Sequence, residues 1–150
     1  MKILTEFISR DFDIAIFGLG FESRSTSTID TYINQSKKNI VLGYDVNTEK
    51  FSYQNNKERF EKLLAKVYET GDEKISSIIQ SELHEIPTTP LKVLVDITVM
   101  SRHRLAIVMC ELFDNLPKGS IISVVYSISS FVTPPEDNTP IKYVREISPQ

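Results

Sequence analysis

The sequence has no tryptophan, one cysteine and only two histidines among its 150 residues. Because Cys110 is the single cysteine, a disulfide framework within the chain and a cysteine-based zinc site are both excluded. The two histidines, His84 and His103, lie far apart in the sequence, so no metal site is expected. Other kinds of side chain must carry any chemistry.

The chain also lacks a strong charge of one sign and a long apolar run. Its 17 basic and 20 acidic residues give a net charge of −3, which removes the global argument for nucleic-acid binding. The N-terminus has no apolar run of signal-peptide length. The longest uncharged stretch begins at Gly119, ends before Glu136, and contains many serines and two prolines. We therefore expect no membrane segment and a cytoplasmic location.

Four short, β-branched apolar segments predict buried strands: residues 13–18, 39–45, 91–98 and 120–126. Their apolar runs are continuous, as in the parallel strands that helices cover on both faces. Segments with helical periodicity lie between them. Their apolar stripes are Ile29, Tyr32 and Ile33; Phe60, Leu63, Leu64, Val67 and Tyr68; Ile75, Ile78, Ile79 and Leu83; and Leu105, Val108, Met109, Leu112, Phe113 and Leu116.

This alternation predicts an α/β fold with a Rossmann-like open, mainly parallel sheet of about four to six strands and helices on both faces. The length fits a single domain over residues 1–150. Residues 141–147 are a candidate last edge strand. No covering helix follows them, which leaves open that the chain is part of a longer protein.

Polar residues follow each predicted strand. Ligands of open α/β sheets bind outside the carboxyl ends of the strands, so these residues are the candidate ligand contacts. The candidates are Gly18, Gly20, Ser23, Arg24, Ser25, Asp45, Asp96, Thr98, Ser101, Arg102 and Arg104.

Gly18 and Gly20 admit two interpretations. With Asp45 at the end of the next strand they resemble a dinucleotide fingerprint, in which the acid holds the ribose. The third position of that fingerprint is Ser23 instead of glycine, however, and Glu22 would lie beside the pyrophosphate. The alternative is that the glycines only permit a tight turn from strand to helix.

The charges at the start of the last long helix are unusual. Ser101 is placed to cap this helix, and Arg102, His103 and Arg104 then fall in its first turn, where the helix dipole disfavours cations. One interpretation is that an anion such as phosphate docks at the start of this helix. The other is that the arginines pair internally with Glu22, Asp45 or Asp96. An anion could also dock near Arg24 and its neighbouring hydroxyls.

Asp96 stands inside an apolar run and needs a partner if buried. It either accepts hydrogen bonds from backbone N–H groups of a neighbouring loop or contacts a ribose or base.

Residues 95–102, Val-Asp-Ile-Thr-Val-Met-Ser-Arg, resemble the strand-end motif of CARF-type domains, the Rossmann-like sensors of cyclic oligonucleotides in prokaryotic antiviral defence. Where that family has glycines after the threonine, this chain has Val99 and Met100. The resemblance implies a nucleotide ligand and a homodimer. The apolar Phe131 and Val132 are candidates for the dimer contact.

Residues 13–17 followed by residues 20–24 are similar to the opening of TIR domains, many of which cleave NAD. This second resemblance implies a catalytic glutamate, for which Glu22 and Glu111 are the candidates. Three functions stay open: a nucleotide-binding or nucleotide-sensing domain of bacterial defence, which leads; a nucleotide-hydrolysing enzyme; and a non-catalytic interaction module. An effector domain or partner protein is compatible with each.

Overall fold

The computed structural model describes residues 11–86 and 89–129. Within these ranges the chain forms five strands: β1 (Phe12–Gly18), β2 (Ser36–Gly43), β3 (Lys66–Glu69), β4 (Lys92–Asp96) and β5 (Ile121–Val125). The α-helices are α1 (Ile29–Tyr32), α2 (Tyr53–Lys62), α3 (Ile75–His84) and α4 (Arg102–Asn115). Short 3₁₀ turns cover Ser23–Thr26, Ile33–Gln35 and Asp72–Lys74. In this part of the chain no helix combines the length and the apolar composition that a membrane crossing needs.

The strands form one sheet in the order β3-β2-β1-β4-β5, and every neighbouring pair is parallel. In the middle of the sheet, Ile16 of β1 lies between Ile40 of β2 and Val95 of β4. The predicted open, parallel α/β sheet is thus confirmed.

Apolar residues of β1 alternate between the two faces of the sheet. Ala15 and Phe17 belong to one core, which α1 and α2 cover with Ile29, Tyr53 and Phe60. Ile14 and Ile16 belong to the other core, which α3 and α4 cover through Ile75, Ile79, Val108 and Leu112. Helices therefore lie on both faces, as predicted.

The apolar stripe that begins at Phe60 does not form one helix. Helix α2 ends at Lys62, Leu64 has a φ of 58° and is 93% exposed, and Lys66–Glu69 is the edge strand β3, paired with β2. The reason is that Val67 and Tyr68 also have side chains that favour strands. Helical spacing over so short a segment cannot distinguish the two structures.

A buried carboxylate joins α3 to the amino ends of β2 and β3. Glu82 is 1% exposed, and its oxygens lie 2.5 Å from Lys38 Nζ and 2.7 Å from Lys66 Nζ. The hydroxyl of Tyr68 also donates to it. Burial alone would raise the pKa of Glu82, but the hydrogen bonds from Lys38, Lys66 and Tyr68 outweigh burial and lower the pKa to about 2.

Candidate ligand site

The strand order defines where a ligand site should lie. β1 and β4 are neighbours, yet the helix after β1 covers one face of the sheet and the helix after β4 covers the other. The two chain segments therefore separate as they leave the carboxyl ends of the strands. This is the topological switch point at which open α/β sheets bind ligands.

The loop after β1 is held in one conformation by two side chains. Ser25 Oγ accepts a hydrogen bond from the Gly20 N–H at 3.1 Å and donates to the Gly18 carbonyl at 3.0 Å. Asn56 of α2, which is buried, donates to the carbonyls of Gly20 and Glu22 at 3.0 and 2.8 Å. Ser25, a predicted ligand contact, thus fixes the loop from within.

Gly18 and Gly20 make room for the loop after β4. A Cβ atom at Gly20 would lie 2.8 Å from Val99 Cβ, and one at Gly18 would lie 3.1 Å from side-chain atoms of Val99 and Met100. Val99 therefore occupies the space through which a pyrophosphate would approach the glycines of a dinucleotide fingerprint. The small size of the two glycines thus serves the close approach of the loop after β4, a reason that neither interpretation from the sequence contained.

Asp96 is bound by the protein itself. It is 1% exposed and accepts hydrogen bonds from the Thr28 hydroxyl and, at 2.8 Å, from the Thr98 N–H. Thr98 Oγ1 in turn accepts from the Ser127 N–H at 3.0 Å. Asp96 therefore has internal partners, but only one of them is a backbone N–H group, and it belongs to the same loop. The Thr28 hydroxyl ties the end of β4 to the start of α1, and Thr98 ties it to the segment after β5.

Arg24 forms hydrogen bonds within its own loop and to the segment after β5. Its Nε donates to Glu22 at 2.7 Å, and Nη1 donates to the Tyr126 hydroxyl at 3.1 Å and to the Ser127 carbonyl at 2.8 Å. These hydrogen bonds, that of Glu22 first, raise the pKa of Arg24. The pairing neutralises the charge of Glu22 beside the switch point and leaves little of the guanidinium for a phosphate.

Arg104 is buried inside the protein, whereas a ligand contact was expected to be exposed. It is 1% exposed; Nε donates to Asp72 at 2.8 Å, Nη1 to the Gly43 carbonyl at 2.9 Å, and Nη2 to the Thr70 carbonyl at 2.8 Å. The guanidinium also lies 3.9 Å from the centre of the Tyr44 ring. Arg104 therefore pairs internally, and its partner is Asp72, which was not among the acids considered.

Ser101 caps α4 as predicted, accepting a hydrogen bond from the Arg104 N–H at 3.1 Å. Its own N–H donates to the Tyr44 hydroxyl at 3.1 Å. Arg102 and His103 are exposed in the first turn of α4, and within residues 11–86 and 89–129 neither of them takes part in an ion pair. Ser23 and Asp45 are exposed at the same edge of the sheet.

Aromatic side chains, which the sequence analysis did not consider, occupy the middle of this edge. The Phe21 ring stacks on Tyr44, with centroids 5.7 Å apart, and packs against Tyr53 at 5.3 Å. A cavity of about 440 Å³ opens beside them, lined by Phe21, Glu22, Ser23, Phe51 and Ser52. Phe21 and Tyr44 could have been noticed, because Phe21 lies three residues after the predicted strand 13–18 and Tyr44 lies at the end of the predicted strand 39–45.

The second catalytic candidate lies elsewhere. Glu111 follows the start of α4 by nine residues, roughly 14 Å along the helix axis, and accepts hydrogen bonds from Gln80 and Asn115. The structure thus does not bring it to the carboxyl edge, whereas Glu22 is there and is paired with Arg24. Among the described residues, no three metal-ligating side chains cluster closely enough to hold an ion.

Comparisons with protein-family models, with curated proteins and with solved structures found no match to this sequence or fold.

Proposed function

We propose that this domain binds an anionic nucleotide above the carboxyl ends of β1 and β4 and acts as a nucleotide-binding or nucleotide-sensing module. The observation that carries the proposal is the parallel order β3-β2-β1-β4-β5, which has its switch point between β1 and β4. A loop held by side-chain hydrogen bonds lies on each side of that point. The CARF resemblance adds the expectation of a role in bacterial antiviral defence.

The phosphate contact is assigned to Arg102, with His103 beside it. Both are exposed in the first turn of a 14-residue helix, where cations oppose the dipole and destabilise the free domain slightly. A bound phosphate reverses that effect, because it accepts charge-assisted hydrogen bonds from the side chain. Arg24 and Arg104 are already bonded within the protein, and Asp45 is exposed where it could accept hydrogen bonds from ribose hydroxyls.

The test is calorimetric titration of the wild type and of Arg102→Gln with a panel of mono-, di- and triphosphate nucleotides. We expect at least one nucleotide to bind the wild type, and Arg102→Gln to weaken it about tenfold or more. Lys62→Gln, at an exposed position of α2, is the matched control, because it removes the same charge away from the site. Lack of binding by every nucleotide, or equal weakening in the control, would overturn the proposal.

The same experiment, with NAD added to the panel, separates binding from catalysis. A sensor leaves the nucleotide intact, whereas an NAD-cleaving enzyme using Glu22 releases nicotinamide, which chromatography of the titrated sample detects.

The homodimer is also proposed; its candidate contacts Phe131 and Val132 lie outside the described residues. Sedimentation that showed only a monomer at high concentration would contradict it.

A further inference from the structure

Phe51 is the most unusual apolar residue at the carboxyl edge. Its side chain is 87% exposed, and its backbone has a φ of 52°, in the left-handed region that bulky residues rarely adopt. An exposed phenyl ring stabilises the free domain little, and the backbone conformation costs free energy. What distinguishes Phe51 from the similarly exposed Leu64 is that Phe51 lines a cavity at the carboxyl edge of the sheet.

The opposite wall of the cavity is fixed. Phe21 is packed against Tyr44 and Tyr53, and its carbonyl accepts a hydrogen bond from the Ser52 N–H at 3.1 Å. This bond joins the loop after β1 to the loop that carries Phe51. The two phenylalanines thus border the cavity of about 440 Å³, a size in the range of small-molecule sites.

The polar groups at the cavity suit an uncharged, flat heterocycle. Ser23 and Ser52 offer hydroxyls, and the carboxylate of Glu22 accepts hydrogen bonds while Arg24 balances its charge. Nucleobases present both donors and acceptors at their edges and stack readily on aromatic rings. Tyr44, on which Phe21 stacks, connects this cavity to the start of α4, because its hydroxyl accepts a hydrogen bond from the Ser101 N–H.

We propose that this cavity holds the base of the bound nucleotide and that Phe51 is the surface on which the base stacks. The inference rests on the proposed function, because it identifies the part of the ligand that lies away from Arg102. The ligand is then a nucleotide with its base, and a sugar phosphate or inorganic phosphate should bind with lower affinity.

The absence of tryptophan from the chain allows a direct test. Phe51→Trp introduces a single indole whose emission should be quenched when a base stacks on it. We expect quenching by the nucleotide and none by ribose 5-phosphate or inorganic triphosphate. Phe113→Trp is the matched control, because Phe113 is another exposed phenylalanine, 70% exposed, on α4; its emission should not change.

Binding of the same probes to Phe51→Leu and Phe51→Tyr completes the experiment. The wild type and Phe51→Tyr should prefer the nucleotide to ribose 5-phosphate, and Phe51→Leu should lose about tenfold or more in nucleotide affinity without losing affinity for the base-free probes. Nucleotide binding that depends on Arg102 but not on Phe51 would overturn this inference and leave the proposed function standing. Failure of every nucleotide to bind would overturn both.

Discussion

Arg102 and Arg104 stand two positions apart at the start of α4, and the fold places them in opposite environments. Arg104 lies on the buried stripe of the helix with Val108 and Leu112, at the spacing i, i+4, i+8, whereas Arg102 points to solvent. The helical periodicity of the sequence could have shown that Arg104 lies on the buried side of α4 and Arg102 on its exposed side. The partner Asp72 could not have been found, because it comes from a turn beyond a strand that the sequence pattern did not reveal.

Substitution of each arginine should affect stability differently. Arg104→Gln removes the guanidinium donors of the Gly43 and Thr70 carbonyls, of which the Gly43 carbonyl keeps the Thr70 N–H, and it leaves Asp72, 31% exposed, without its partner. We expect a loss of about 2–4 kcal/mol in the free energy of unfolding. Arg102→Gln should change it by less than about 0.5 kcal/mol and in the stabilising direction, because repulsion from the helix dipole is removed. Urea unfolding measures both, and an Arg104→Gln variant as stable as the wild type would contradict the internal pairing.

The packing of Val99 against Gly20 makes a second prediction at this scale. Gly20→Ala places a methyl group 2.8 Å from Val99 Cβ, so we expect a loss of about 1–3 kcal/mol in unfolding free energy. In combination with Val99→Gly, the substitution Gly20→Ala should cost less than it does alone, because glycine at position 99 removes the Cβ and both Cγ atoms that the new methyl group meets. A double-mutant cycle in urea checks the coupling. Additive effects of the two substitutions would mean that the glycine does not accommodate Val99.

At the scale of elements, the strands were predictable where apolar runs were long and were missed where one was short. β1, β2 and β4 each contain at least three consecutive apolar residues, β5 has four that flank Ser123, and the sequence pattern identifies all four strands. β3 has only Val67 and Tyr68 between Lys66 and Glu69, and it forms because β2 offers a free edge with which to pair. Periodicity compares residues that are close together along the chain, so it cannot predict pairing between distant segments.

Glu82, which joins α3 to β2 and β3, makes stability depend on pH. Its pKa is lowered to about 2 in the folded protein from the ordinary value of 4.5. The unfolded chain therefore binds the proton more readily, so the contribution of Glu82 to stability is complete above about pH 4.5 and is lost as the pH falls towards 2.

The difference between the wild type and Glu82→Gln isolates this contribution from that of other carboxylates, such as Asp13, whose pKa is lowered chiefly by its hydrogen bond with Lys37. The variant should be less stable than the wild type at pH 6, and the difference should shrink by pH 3. Urea midpoints at the two pH values give the measurement. A difference that did not change with pH would show that the ion cluster does not titrate as described.

For the whole molecule, the fold class followed from the alternation of elements, but the strand order did not. Polar residues follow each predicted strand in the sequence. The order of the strands in the sheet brings the ends of β1 and β4 together at a switch point. The hydrogen bonds of the structure then distinguish residues that hold the loops, such as Ser25 and Asp96, from exposed residues such as Arg102. Side chains that fix a loop and side chains that contact a ligand are of the same polar types. Composition and spacing therefore cannot distinguish them.

The most direct test of the central claim is to map the bound nucleotide on the protein by NMR, following backbone amide shifts of the ¹⁵N-labelled chain during titration with the nucleotide that binds best. We expect the largest shifts at the carboxyl edge of the sheet, at Phe21–Ser23, Asp45, Phe51 and Arg102–His103. The amides of Lys38, Lys66 and Glu82, near the amino ends of the strands, should not shift. Shifts centred on the amino ends, or on the surface between α4 and β5, would contradict the central claim.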